Sequence, residues 1–572
     1  MHKVRGRTAR ILLLAAFLCC LLPCAALAQT TPLPGPADPG RIIEPLEPTL
    51  PTREAPPITA PTAPVEQMTA PDGAEEVKLT LKEIKFKGGT VFSQKQLQRW
   101  TKNYIGREIT LKDLFDIASR ITNEYRKRGY FLSKAFLPPQ EIEGGIVTIE
   151  MVEGYVGHVR IEGNYRPHAA IASVVRKIEN DRPANIKRIE EYLMQLNDLA
   201  GLNARTVLEP LQEVTDDVAI GMVLLLDSSD MAVSGRAGLN NYGSRYIGPM
   251  QAEGQVNLSN LFGLYGVTTF AMTSALPVDE LVYASVQQTL PLAYPGLSLM
   301  ANFSYSTSAP GYTLSASEIE SDTFVGTLRL TQSLIRSRAK NLSVDGQFDV
   351  KNIHSDILGT TLYDDQIRAL RASVNYDMRD SLGGGAGSIL SATISRGLDV
   401  FGANESGSFN LSRARGRSNF TKFEANAARL QSTKWGFNLY TALRGQYTDD
   451  VLLSAEEFGF GGSEMGRAYD SSEIAGDRGV AGTIEARIPI REPVLGVQTE
   501  PYAFYDLGKV WNLDPGGESF SAAAAGAGVR LNFGQNMSGT LTFAVPLTKE
   551  PSAPEITKGM NPSVTFGLSI GF

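Results

Sequence analysis

Val564-Thr565-Phe566-Gly567-Leu568-Ser569-Ile570, just ahead of Phe572, sets apolar residues on alternate positions with small or polar ones between them. A period of two belongs to a strand with one apolar and one polar face. The same pattern returns in Val267-Thr268-Thr269-Phe270-Ala271-Met272 and in Leu439-Tyr440-Thr441-Ala442-Leu443. Working outward from these, the chain after Ser229 resolves into sixteen such segments, starting near Met231, Met250, Gly266, Leu281, Leu297, Thr323, Leu342, Gln366, Ser388, Ser418, Phe437, Gly479, Gln498, Phe520, Ser538 and Pro562. Many run about ten residues, the length a tilted strand needs to cross a hydrocarbon layer. Gly, Asn, Asp and Pro separate them, without the distinct linkers that a soluble sandwich of this size would need. We therefore expect a membrane all-β, sixteen-stranded barrel over residues 230–572.

Parity supports this. An even count puts both barrel ends on one side, so connections after even strands should be short and those after odd strands free to lengthen. Residues 262–266, 336–341, 432–435 and 534–537 are brief. The longest connection, 452–478, follows the eleventh strand and is therefore the sixth outward loop.

The whole chain has 572 residues, with Lys+Arg 54 against Asp+Glu 61 and a net charge of −7. A mildly acidic balance argues against a nucleic-acid binder. Hydrophobic residues at 42% and charged residues at 20% exclude wholesale disorder. Lys3, Arg5, Arg7 and Arg10 precede an apolar run and the pattern Ala26-Leu27-Ala28, which reads as a secretory signal peptide over residues 1–28. Cys19, Cys20 and Cys24 all lie inside it, so the processed chain would carry no thiol. Lipidation of Cys24 is the competing reading, and Pro23 is a poor match to it. Residues 29–76 are dense in proline, which stops helices and paired strands from propagating, and read as an extended periplasmic linker. An inert spacer is preferred to a ligand for a Pro-recognising partner.

Residues 77–153 and 154–229 read as two repeats of strand, two helices and two strands. The first opens with LTLKEIKFKGG, a strand with a slip near Lys82 that ends at Gly88 and Gly89. Helical spacing follows in 93–104 and 110–129, where Leu111, Leu114, Phe115, Ala118, Ile121 and Tyr125 share a face. The second opens with HVRIEGN at His158. A repeat of about 75 residues is a pair of modules, not a solenoid.

No catalytic constellation emerges. His2, His158, His168 and His354 are the four histidines and none stands at a metal-ligand spacing, so neither an enzyme nor a metal or other cofactor is expected. Gly461-Gly462 and Gly384-Gly385 do not join a strand to a helix, so phosphate binding is not indicated.

The sixth loop reads FGFGGSEMGRAYDSSEIAGDRG over 458–479. So glycine-rich a loop would be floppy in water but could fold into a wide lumen as a plug. Arg467 at its tip offers a rigid five-donor fork that needs a buried acceptor. The thirteenth strand contains YAFYDLGKVW, in which Tyr502, Phe504, Asp506 and Gly508 share a face. A charge at mid-strand must face the lumen, so we pair Arg467 with Asp506.

These residues resemble the outer-membrane transporters of two-partner secretion, the TpsB family of the POTRA-barrel superfamily, over about residues 79–572. Arg467 and Tyr469 match the family's Arg-Gly-Tyr/Phe loop tip, with Ala468 in place of the usual glycine. Gly461, Gly462 and Gly466 fall in the same loop motif, Gly476-Asp477 match its closing turn, and Asp506 with Gly508 matches the motif of strand thirteen. The resemblance implies an outer-membrane barrel preceded by two small α+β POTRA domains in the periplasm. It implies export of an unfolded TpsA-like exoprotein, an adhesin or a haemolysin, drawn out by its folding outside; capture by β-augmentation on the exposed strand edges of the modules is our hypothesis. It also implies that Phe572 is read as an assembly signal by the barrel assembly machinery, and that the barrel meets outer-membrane lipid and lipopolysaccharide. The plug helix of some members is not expected, because 29–75 offers no convincing helix. An assembly factor of the same superfamily is the alternative; a passive porin would have no need of periplasmic modules.

Overall fold

The computed structural model describes residues 33–41, 70–210, 219–229, 231–405, 407–490, 492–493, 496–552 and 559–572. The expected leader and most of the proline-dense stretch lie outside them. Alternation of apolar and polar side chains builds the largest unit. Its strands are β9 (Ala232–Asn240), β10 (Met250–Ser259), β11 (Val267–Leu276), β12 (Leu281–Pro291), β13 (Leu297–Ser308), β14 (Ile319–Arg336), β15 (Lys340–Ile357) and β16 (Thr360–Asp380). They continue with β17 (Ala386–Gly397), β18 (Thr421–Ser432), β19 (Asn438–Thr448), β22 (Arg478–Arg487), β23 (Gln498–Trp511), β24 (Ser519–Phe533), β25 (Met537–Pro546) and β26 (Ser563–Gly571). All pair antiparallel with their neighbours, and β26 returns to β9, closing a barrel of sixteen strands. Phe270, Met272, Leu541, Phe543, Val564 and Leu568 point outward and are exposed.

The barrel is uneven. At the mouth where β15 turns into β16, those two strands pair along their full length, whereas β17 joins β16 only from Ala369 onward. At the seam, β26 meets β9 only from Gly567 to Gly571. Phe572 extends it by exchanging two backbone hydrogen bonds of 3.0 Å with Gly235.

The first module comprises β1 (Lys78–Thr80), β2 (Glu83–Lys87), α1 (Gln94–Thr101), β3 (Glu108–Thr110), α2 (Leu111–Lys127), β4 (Lys134–Phe136) and β5 (Ile146–Val152). Ser93 and Thr110 open the helices with capping boxes. Leu114, Ile117, Ala118, Ile121 and Tyr125 turn one face of α2 into the core. The slip near Lys82 is a complete break. Leu81 N–H donates to Arg107 and Lys82 N–H to Gly145, so the chain leaves a short ladder with β3 and joins β5. The strand β3 was not legible in the apolar pattern. Burial alone would raise the pKa of Glu153, but donors from Val91, Thr90 and Tyr125 outweigh it and hold the carboxyl below its ordinary value.

The second module comprises β6 (Tyr155–Glu162), α3 (Ala169–Asn180), α4 (Ile186–Asn197), β7 (Leu202–Pro210) and β8 (Ala219–Ser228), with sheet order β6-β8-β7. Asn185, which caps α4, also donates to the carbonyl of Arg128 at 3.0 Å and so stitches the modules together. At the near mouth the turn between β10 and β11 sends Tyr265 into the core of this module, where it is 1% exposed. Its hydroxyl bonds both the N–H and the carbonyl of Arg166, at 2.8 and 2.9 Å. Arg336 grips Asp198 through two bonds of 2.8 Å.

Residues 33–41 correct the reading of the proline-rich stretch as a periplasmic linker throughout. They form a 3-10 turn, Gly35–Ala37, lodged at the far mouth of the barrel. Ala37 is fully buried among Tyr246, Ile247, Ala275 and Leu281. Ser244 donates to the carbonyl of Pro36 at 3.0 Å, and Arg41 pairs with Glu457 of the sixth loop. A Cβ on Gly35 would come within 2.1 Å of the Ser472 carbonyl, so only glycine fits there. Proline prevents an α-helix here but suits a tight turn whose polar groups find partners elsewhere in the lumen.

Candidate functional site

The connection between β19 and β22 spans 449–477 and folds into the lumen as a hairpin of β20 (Phe458–Phe460) and β21 (Ile474–Gly476). Positive φ at Gly461, Gly462 and Gly466 shapes its tip, and Ala468 stays out of the left-handed region. Ala468 therefore carries no backbone strain at this turn, where the glycines take the left-handed conformations.

Arg467 and Asp506 meet as expected, and the contact is denser than a single pair. Arg467 Nε lies 3.0 Å from Asp506 Oδ2 and Nη2 lies 2.9 Å from Oδ1. The backbone N–H groups of Gly466 and Arg467 donate to the same carboxylate at 2.9 and 3.1 Å, and Thr483 donates to it at 2.6 Å. Asp506 is wholly buried and Arg467 nearly so. The guanidinium carbon also stands 3.5 Å over the Phe504 ring.

Glu485 is the partner that the sequence reading missed. It pairs with Arg467 on one side, and with Arg487 at 2.7 Å and Arg530 at 2.8 Å on the other. Its signal was present: Thr483, Glu485 and Arg487 alternate along β22 as Asp506 does on β23, and a charge in mid-strand points inward.

The other residues of the loop and strand motifs lie around this ion pair. Tyr469 donates its hydroxyl to the carbonyls of Ala523 and Lys549 at 3.0 and 3.1 Å. Asp477 does more than close the turn. It accepts from Arg413 at 2.5 Å and from the backbone of Leu452 and Leu513 at 2.7 Å, tying three loops at the far mouth. Gly476 packs beside the Trp511 carbonyl.

Gly508 is a bare floor under the Phe460 ring, where a Cβ would lie 2.4 Å from the ring. A Gly508→Leu substitution must push Phe460 and its hairpin off the wall. Such overpacking costs about 1–3 kcal/mol, enough to raise the displaced fraction of the loop about tenfold. If the loop limits conduction, single-channel recording should show correspondingly more frequent openings; unchanged currents would mean that it does not.

The closed sixteen-stranded barrel and the paired α+β modules before it are the architecture of an outer-membrane transporter of the POTRA-barrel kind. A model of the family described as haemolysin secretion/activation protein ShlB/FhaC/HecB matches residues 222–531, and one described as POTRA domain, ShlB-type, matches residues 79–154. The chain belongs to this family, and it is a transporter of two-partner secretion. Among curated relatives, the outer membrane transporter CdiB of Dickeya dadantii (strain 3937) is 24% identical over 423 residues, 70% of each chain. The heme/hemopexin transporter protein HuxB of Haemophilus influenzae is 30% identical over 174 residues, 29% of each. Among solved structures, CdiB from Escherichia coli superposes with a TM-score of 0.70 at 21% identity, covering 88% of this chain and 93% of that one. CdiB from Acinetobacter baumannii gives 0.62 at 17%, covering 89% and 93%. These likenesses show the shared fold.

Proposed function

We propose that the two modules, residues 77–153 and 154–229, stand in the periplasm and collect one unfolded exoprotein. The polypeptide then passes through the barrel when the sixth loop and residues 33–41 move aside. The observation that carries this is the way the lumen is filled. Its contents are held to the wall by ion pairs and hydrogen bonds, which can be exchanged, and the second module is docked at the near mouth through Tyr265 and Arg336. Capture uses open strand edges, since β2 and β4 bound one module sheet and β6 and β7 the other. Folding of the cargo outside supplies the direction of travel. Arg467, Tyr469, Asp506 and Gly508 form the gate, with Gly461, Gly462, Gly466, Gly476 and Asp477 shaping its loop.

The same reading places a cleaved leader at 1–28, has the barrel assembly machinery read Phe572, and sets the outward apolar side chains against lipid and lipopolysaccharide. Deleting the gene should remove one large secreted protein from the medium while the other outer-membrane proteins keep their levels. General loss of outer-membrane proteins would instead mark the chain as an assembly factor.

A further inference from the structure

The sixth loop is fixed to a second arc of the wall, and there the polarity is reversed. At Arg467 the loop brings a cation to wall carboxylates. At Glu456 it brings a carboxylate to wall cations. Arg371 of β16 lies 2.7 Å from Glu456, Lys351 of β15 lies 2.8 Å away, and Lys422 of β18 reaches its other oxygen at 3.0 Å. Three separate strands thus aim cations at one fully buried loop oxygen pair. The wall answers them only in part, with Asp349 at 2.6 Å from Arg371 and Glu424 at 3.4 Å from Lys422. Three cations against two acids leave one positive charge, which Glu456 cancels.

We infer that Lys351, Arg371 and Lys422 form a carboxylate-binding site on the lumen wall, filled at rest by Glu456 and, once the loop leaves, by acidic side chains of the polypeptide in transit. Withdrawing Glu456 leaves one uncompensated positive charge on the wall, to which another carboxylate is drawn. A moving polypeptide supplies carboxylates along its length, and each can pass to the next because the three cations stand on separate strands. The loop is then an internal stand-in for the cargo, carrying both signs of charge to matched places on the wall.

This inference rests on the export reading and can be tested apart from it. The full chain in planar bilayers under a potassium chloride gradient is recorded with Glu456→Gln, which removes the resident charge. Its open channel should favour chloride over potassium about threefold more than the unaltered chain. Oligoglutamate added on the module side should block it, whereas oligolysine should not. Adding Lys351→Met should abolish both the selectivity and the block. Unchanged selectivity, a block indifferent to Lys351→Met, or equal block by sulfate at matched charge would overturn the assignment. If Glu456→Gln lost the heat-modifiable migration of a folded barrel, Lys351→Met alone would decide, because oligoglutamate block of the spontaneously opening channel must then weaken. No exported protein enters these recordings. A missing site would therefore leave export standing, and a failed secretion test would leave the site standing.

Discussion

Arg467→Ala is expected to cut secretion of the cargo about tenfold or more while the barrel still assembles. Truncation leaves Asp506 and Glu485 buried without their shared cation, and breaking a buried ion pair in this way costs about 3–5 kcal/mol. The loss falls on the loop. Asp506 keeps its bond from Thr483, and the strands keep their ladders. Arg467→Lys should recover little, because an ammonium cannot reproduce the fork that spans Asp506, Glu485 and Thr483. Cargo in the medium and heat-modifiable migration of the barrel are the two measurements. Full export by the alanine variant would refute the gate.

Tyr265→Ala should free the modules from the barrel. The ring belongs to the core of the second module although its backbone belongs to a barrel turn, so its removal opens a cavity at the joint. Aromatic-to-alanine changes in cores cost about 3–5 kcal/mol, and the docking interface would bear that cost. Tyr265→Phe keeps the packing and loses only the bonds to Arg166, a penalty of about 1 kcal/mol. All three cysteines lie at positions 19, 20 and 24, inside the expected leader, so single cysteines can be introduced for spin labels. Interspin distances between module and barrel should broaden strongly in the alanine variant and slightly in the phenylalanine one. A narrow distribution in both would show that Arg336 and its neighbours suffice.

Much of this architecture was legible because a period of two survives in many barrel strands, although not in the alanine-rich β24, where Ala522, Ala523 and Ala524 are all buried. Segments expected from Met250, Leu281, Leu297 and Gln498 begin at those residues. Arg467 and Asp506 were legible for a related reason: an uncompensated charge in a membrane strand has one direction to face. Other features have no local signature. Arg41 and Glu457 are separated by 416 positions, and no periodicity in either neighbourhood announces their meeting. Prolines in 29–76 speak against helix and sheet, and they say nothing about where the chain goes. Glu456 was equally silent, since its role is set by three cations on strands far away in sequence.

The height of β15 and β16 has a consequence for the emerging cargo. Residues 360–368 stand beyond the first pair between β16 and β17, an overhang of about 30 Å at an ordinary strand rise. The rim is tallest where β14, β15 and β16 run together, and Leu398, Asn404 and Asn410 of the next connection bond along its flank. On the proposed export reading a chain leaving by this mouth meets one tall flank, and its first folded turns are expected to gather beside it.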